Sequence, residues 1–265
     1  MKPLHAPSKA AAVLSFDFDG TLHQPSAQPP VRADFFALIQ SLRSEKAALW
    51  GINTGRSMHQ MIDGFNESRF PFLPDFIVAR EREIYFPNPL GRWLPHSSWN
   101  QKCDEDIRRL FKSSHNVLDT IRKEIEQHTG ARWIEMSGEP AGIISRTNEE
   151  MDWIQQRILS FVGPDSELGW QRNSIYLRFG HRTYQKGSSL SQVASDYGIG
   201  TAACFAIGDS HNDLEMLDHA HAGMIACPSN AVDAVKTKVT DQGGFLAPSD
   251  HATGAMEALR HFFPR

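Results

Sequence analysis

The chain has 265 residues, with 27 Lys and Arg against 31 Asp and Glu, 40% hydrophobic residues and 22% charged ones. That length buries a sizeable core without disulfide or metal staples, and a net charge of −4 leaves no basic footprint for nucleic acid or an anionic membrane. Cys103, Cys204 and Cys227 lie far apart and form no CxxC pair, which fits a reducing cytoplasm, and no apolar run approaches a membrane span.

Lys2 and the run Ala10–Phe16 superficially imitate a secretion signal, but the run ends in Asp17 and Asp19 without a small-residue cleavage site. Ala11–Phe18 instead has the pattern of a strand buried on both faces, broken by Asp19-Gly20-Thr21 and followed by a proline-rich loop from Pro25 to Pro30. Phe35, Leu38, Ile39 and Leu42 recur at helical spacing, so Ala33–Lys46 is an amphipathic helix. Ala48–Ile52 returns to strand character and ends at Asn53-Thr54-Gly55-Arg56; Ser57 caps the next helix, and Phe76–Ala79 is a third apolar strand. This alternation predicts a parallel sheet with helices on both faces, whose ligands bind beyond the carboxyl ends of the strands.

The middle of the chain reads differently. Glu83–Phe86 and Gly91–Pro95 are expected to pair around Pro87-Asn-Pro89, and Asp104–His128 to form a long helical stretch with a break near Ser113–Asn116. Ala131–Met136 and Ala141–Arg146 are expected as strands around a turn at Gly138-Glu-Pro140, with a helix through Met151, Ile154, Ile158 and Phe161 and a strand at Ser174–Phe179. Residues 83–182 therefore read as an inserted α+β module. After Lys186 the first pattern resumes: a helix ended by Gly198, a strand Cys204–Ile207 ending at Gly208-Asp209-Ser-His-Asn-Asp213, and two further strand–helix pairs.

Asp17 and Asp19, two residues apart at a strand end, face one side of the chain and can divide the work of nucleophile and general acid. Asp209 and Asp213 add carboxylates at a second strand end, Thr54 a hydroxyl and Lys186 a compact cation. Together these groups suit an oxygen-liganded Mg²⁺ and a phosphate, the parts that phosphoryl transfer needs. No Walker-type GxxxxGK[ST] loop supports a nucleoside triphosphatase. Taken singly, DxD is as well explained as a turn, Thr54 as a cap, Lys186 or Arg56 as surface, and His219-Ala-His221 as a helix end.

In order, spacing and strand-end placement, Phe16-Asp-Phe-Asp-Gly-Thr21, Thr54, Lys186 and Gly208-Asp-Ser-His-Asn-Asp213 resemble the four motifs of the haloacid dehalogenase superfamily of phosphohydrolases. The insert resembles the large α+β cap of its Cof-type and sucrose-phosphatase-like sugar phosphatases. The resemblance implies a Rossmann-like core from residues 1–82 and 183–265 and a cap domain at 83–182. It implies that Asp17 attacks phosphorus, that Asp19 protonates the leaving oxygen and then activates water, and that Thr54, Gly55, Lys186 and Asn212 bind the phosphoryl group. Asp17, the backbone carbonyl of Asp19, and Asp209 would hold Mg²⁺, with Asp213 supporting the site. The expected activity is hydrolysis of a small phosphate ester, sugar phosphates being the class the cap type favours; a sugar phosphomutase or a silent binding module of the same fold are the alternatives. Where such relatives carry Val-Gly-Thr-Glu-Ile or Asn-Gly-Ala at the start of the cap, this chain reads Val78-Ala-Arg-Glu-Arg-Glu-Ile84. Within the insert, Glu135, Arg146, Arg178 and His181 are candidate substrate contacts.

Overall fold

A computed structural model describes residues 2–4, 7, 9–135 and 141–264. The first elements are β1 (Lys2–Pro3), β2 (Ala12–Phe16), α1 (Ala33–Lys46), β3 (Ala48–Asn53), α2 (Met58–Glu67), β4 (Phe72–Leu73), β5 (Phe76–Ala79), β6 (Glu83–Pro87) and β7 (Trp93–Pro95). Next come α3 (Ser97–Ser113), α4 (His115–His128), β8 (Arg132–Ile134), β9 (Gly142–Ile144), α5 (Asn148–Phe161), β10 (Leu168–Asn173) and β11 (Tyr176–His181). The chain closes with α6 (Lys186–Asp196), β12 (Cys204–Ile207), β13 (Met224–Cys227), α7 (Asp233–Asp241), β14 (Phe245–Leu246) and α8 (His251–Phe262).

Residues 1–100 with 186–265 form one compact unit and residues 101–185 a second. The first is built on an eight-stranded sheet of order β14-β13-β12-β2-β3-β5-β6-β7. Its strands from β14 to β5 are parallel, and β6 and β7 add an antiparallel edge. Alternation along the strands feeds two cores. Leu14, Phe16, Phe205 and Ile207 point to one face, where Phe35, Ile39, Met61 and Leu259 from α1, α2 and α8 cover them. Val13, Cys204 and Ala206 point to the other, under Leu190 and Val193 of α6 and Val235 and Val239 of α7. The expected doubly covered parallel sheet is present.

The second unit has a four-stranded antiparallel sheet of order β10-β11-β9-β8. Leu168, Leu177, Phe179 and Ile143 form its core with Ile121 and Ile125 of α4 and Ile154 and Ile158 of α5. The helical stretch breaks at Ser114, within the span expected. The turn expected at 138–140 lies outside the described residues.

Two expectations are corrected. The hairpin expected to open the insert instead joins the first unit's sheet, because Ala79 pairs with Glu83 across a tight reversal, and the second unit begins only at Gln101. The strand expected at Ser174–Phe179 is the second arm of a hairpin: Asn173 pairs with Tyr176, leaving Ser174 in the turn at φ +53°. Its first arm, β10, shows no clean apolar alternation because Gln171 and Arg172 interrupt it. All three cysteines are buried and free. Among the described residues, no helix is long and apolar enough to cross a membrane.

Candidate active site

Because β2, β3 and β12 are parallel neighbours, the residues that follow them meet at one sheet edge. Asp17 follows β2 and stays in register through its N–H, which donates to the Ile207 carbonyl (3.0 Å). Thr54 follows β3, with its N–H on the Val78 carbonyl (2.9 Å). Asp209 and the short turn His211–Asp213 follow β12. Lys186 is the first residue of α6, held by Asn53 Nδ2 donating to its carbonyl (2.8 Å).

Lys186 is fully buried, and its Nζ donates to Asp17 Oδ1 and Asp213 Oδ1, both at 2.6 Å. Burial alone would lower its pKa, but the carboxylates of Asp17, Asp213 and Glu81 outweigh burial and hold the ammonium protonated. Asp17 is pushed well up, first by burial and then by Asp213 and Asp209, with Lys186 opposing. Asp209 is pushed up to about 6, again chiefly by burial and then by Asp213, although Thr21 Oγ1 donates to its Oδ1 (2.7 Å).

Carboxylate oxygens of Asp17, Asp209 and Asp213 lie within 4.8 Å of one another. Three carboxylates face one ammonium, so the cluster has excess negative charge and only oxygen donors, which fits a hard divalent cation such as Mg²⁺. Asp213 is the most fully occupied of the three. Besides Lys186 it accepts the N–H groups of Asp209 (3.0 Å) and Ser210 (2.9 Å) on Oδ2, so it braces the loop that carries Asp209. Gly20 has φ +84°, and a Cβ there would lie 2.4 Å from Asp209 Oδ2, so the turn after Asp19 needs glycine both for its backbone and for the space.

Asp19 does not join the three carboxylates. Arg56 grips it with Nε on Oδ2 (2.7 Å) and Nη2 on Oδ1 (2.6 Å), while the guanidinium lies 4.8 Å from the centre of the Phe18 ring. Arg56 is therefore neither simply solvated nor a free contact. Asn212 donates from Nδ2 to Glu81 Oε1 (2.8 Å). Gly55 lies under the same carboxylate, since a Cβ there would come 3.4 Å from Glu81 Oε1.

Glu81, Arg56, Thr21 and Glu215 were not singled out for these contacts by sequence reasoning, and only the -Asn-Thr-Gly-Arg- and -Asp-Gly-Thr- contexts hinted at two of them. Glu215 accepts the Gly187 N–H (2.7 Å) at the start of α6, and burial raises its carboxyl to about 7. The pair His219 and His221 does not converge: His219 lies on the Ala222 and Gln242 carbonyls, and His221 on Ser191. In the second unit, Arg146 is held by Glu150 and Glu135 by Trp133 and Arg122, while His181 is buried beside Tyr184. Arg178 lies opposite Gln171 and Gly142 on the sheet face away from Leu177 and Phe179.

A family model described as haloacid dehalogenase-like hydrolase matches residues 71–245, and the chain belongs to this family. The match begins after Asp17, Asp19 and Thr54, whose place in the site rests on the sheet geometry. The chain is 28% identical over 79 residues to a phosphoglycolate phosphatase of Methanoculleus marisnigri, covering 30% of this chain and 31% of the relative. It is 41% identical over 69 residues to the 5-amino-6-(5-phospho-D-ribitylamino)uracil phosphatase of Bacillus subtilis, covering 26% and 22%. The alignments thus span about a third or less of these relatives.

Among solved structures, the sucrose-phosphatase of Synechocystis sp. PCC6803, determined with sucrose and phosphate, has a TM-score of 0.71 at 16% identity, covering 96% of this chain and 98% of that one. The sugar phosphatase BT4131, of haloacid dehalogenase subclass IIB, has a TM-score of 0.63 at 14% identity, covering 95% and 99%. At these identities the likeness establishes the fold.

Proposed function

We propose that the protein is a Mg²⁺-dependent phosphatase that hydrolyses a small phosphorylated metabolite, with sugar phosphates as the favoured class, through an aspartyl-phosphate on Asp17. The observation that carries this reading is the cluster of Asp17, Asp209 and Asp213 at the sheet edge, with the buried Lys186 bridging Asp17 and Asp213. The phosphatase names of the partial relatives and the sugar phosphatases of like fold support the substrate class.

In this reading Asp17, the backbone carbonyl of Asp19, and Asp209 would hold the cation, and Asp213 braces the loop that carries Asp209. A divalent cation held there would supply positive charge to offset the negative charge of the phosphoryl group and the carboxylates around it. An Asp17 carboxylate oxygen forms a bond to phosphorus as the ester oxygen leaves, and Asp19 gives that oxygen its proton. Asp19 then takes a proton from water, the water oxygen bonds to phosphorus, and the P–O bond to Asp17 breaks, releasing phosphate and restoring the carboxylate. Thr54, Gly55, Lys186 and Asn212 hold the phosphoryl oxygens throughout. The second unit selects the leaving group.

The test is phosphate release from a panel of phosphorylated metabolites. Turnover with Mg²⁺, its loss in EDTA and its recovery on adding Mg²⁺ are expected, with sugar phosphates among the preferred esters. Full turnover after exhaustive chelation would overturn the metal requirement, and no release from any ester would overturn the activity.

A further inference from the structure

The reversal between β5 and β6 is closed by the Arg82 N–H donating to the Ala79 carbonyl (3.1 Å), and its central residues Arg80 and Glu81 have φ +50° and +66°. Positions of this kind favour Gly and Asn, so a non-glycine residue with a full side chain sits there against a backbone preference. Such conformations persist where surrounding contacts over-determine them, and they gather at functional sites.

For Glu81 those contacts converge from three directions. Its N–H donates to the Thr54 carbonyl (2.8 Å), its own carbonyl accepts from Ser189 Oγ (3.4 Å), and its Oε1 accepts from Asn212 Nδ2 (2.8 Å). Thr54, Ser189 and Asn212 stand on the loop after β3, on α6 and on the turn after β12, the same segments that carry the phosphoryl-binding residues. The residue is only 4% exposed.

We propose that Glu81 is a positioning residue for the phosphoryl site, acting through Asn212. An asparagine amide has a donating end and an accepting end that differ little in shape. A carboxylate accepts, so Glu81 fixes the Nδ2 end toward itself, and a rotated amide would set Oδ1 against the carboxylate lone pairs. Asn212 Oδ1 is buried with no hydrogen-bond partner among the described residues, so the contact with Glu81 is what sets the orientation. Without it the amide can turn and meet a phosphoryl oxygen with its own lone pairs instead of an N–H. This inference rests on the reading of Asn212 as a phosphoryl ligand.

The experiment measures calorimetric binding of orthophosphate to the full chain with Mg²⁺ present, alongside thermal unfolding. Glu81→Gly relieves the positive φ, so its unfolding midpoint should equal or exceed the wild type while phosphate binding weakens about tenfold, the scale of one hydrogen bond to a charged group. A purely structural role predicts a lower midpoint instead. Glu81→Met fills the same space with only a weakly accepting sulfur in place of the carboxylate and should bind nearly as weakly as Glu81→Gly. Glu81→Gln is equally neutral but keeps an acceptor oxygen, and should recover most of the loss. In an Asn212→Ala background, Glu81→Met should add no further weakening.

Unchanged binding in a folded Glu81→Met, weakening in Glu81→Gln as large as in Glu81→Met, or full additivity with Asn212→Ala would each overturn the assignment. None of these would touch the phosphatase reading, which fails separately if the wild type neither binds orthophosphate nor releases it from any ester.

Discussion

At the carboxyl edge of the eight-stranded sheet, Lys186, Asp17 and Asp213 are buried and in direct contact. On the helices of the 101–185 unit, charges such as those of Lys123 and Asp119 or Arg122 and Glu126 pair one turn apart in solvent. Exposed pairs of the second kind contribute little and can be exchanged freely. Buried carboxylates crowded around a single ammonium are costly unless something else neutralises them. The contrast locates the chemistry better than the number of charged residues does, because both regions are rich in them. Arg172 of the second unit is the instructive exception. It is buried, but Asp152, Gln155 and the carbonyls of Asn148 and Ser174 satisfy it, so it stitches β10 to α5 and leaves no charge to be met by a ligand.

The comparison breaks most readily at Lys186. Lys186→Met removes the cation between two buried carboxylates and should cost about 3–5 kcal/mol of stability, with turnover lost as well; denaturant unfolding and phosphate release measure the two. A loss below about 1 kcal/mol would show that Lys186 is not the buried partner of Asp17 and Asp213 that holds the cluster together.

A smaller effect is expected at Asp106 in the second unit, whose carboxyl is held down to about 2 first by Lys102 and then by Tyr184. Its folded-state pKa lies below the unfolded value of 3.8, so the stability it contributes is present above about pH 4 and is lost as pH falls toward 2. Asp106→Asn should therefore lower stability at pH 6 and flatten its decline between pH 4 and pH 2, read from denaturant midpoints across that range. A decline as steep as in the wild type would assign the acid sensitivity to other groups.

The smallest change sharpens the other side of the contrast. Arg146, paired with Glu150 but with its side chain 70% exposed, should tolerate replacement by Ala with little change in the denaturant midpoint and with turnover unchanged. A marked fall in turnover would give Arg146 a substrate contact that its pairing does not suggest.

Much of this was legible in the sequence wherever the signal is local. The apolar run before Asp17, the spacing of Phe35, Ile39 and Leu42, and glycines at strand ends gave the parallel sheet and its loaded edge, because burial on both faces leaves a continuous apolar strand. The hairpin boundary was not legible. Its reversal uses Arg80 and Glu81 at positive φ, without the Asn-Gly or Asp-Gly pair that would have marked a turn. Strand β10 was hidden because Arg172, a charged residue, faces inward on it, and apart from the Ser174 carbonyl its partners lie 17 to 24 residues away. The same distance effect hid the partners of the site residues: Arg56 reaches Asp19 across 37 positions and Glu81 reaches Asn212 across 131. Motif spacing names the residues at a strand end. It does not say which distant side chain holds them.

The central claim is that Asp17 is the nucleophile. Protein mixed with Mg²⁺ and an intact phosphate ester that it turns over, quenched in acid and mapped by peptide mass spectrometry, should carry one acid-stable, alkali-labile phosphoryl group on Asp17. Asp17→Asn should show neither that label nor turnover above about one part in 10⁴ of the wild type. Near-normal turnover by a folded Asp17→Asn, or a phosphoryl group trapped on another residue, would contradict the account.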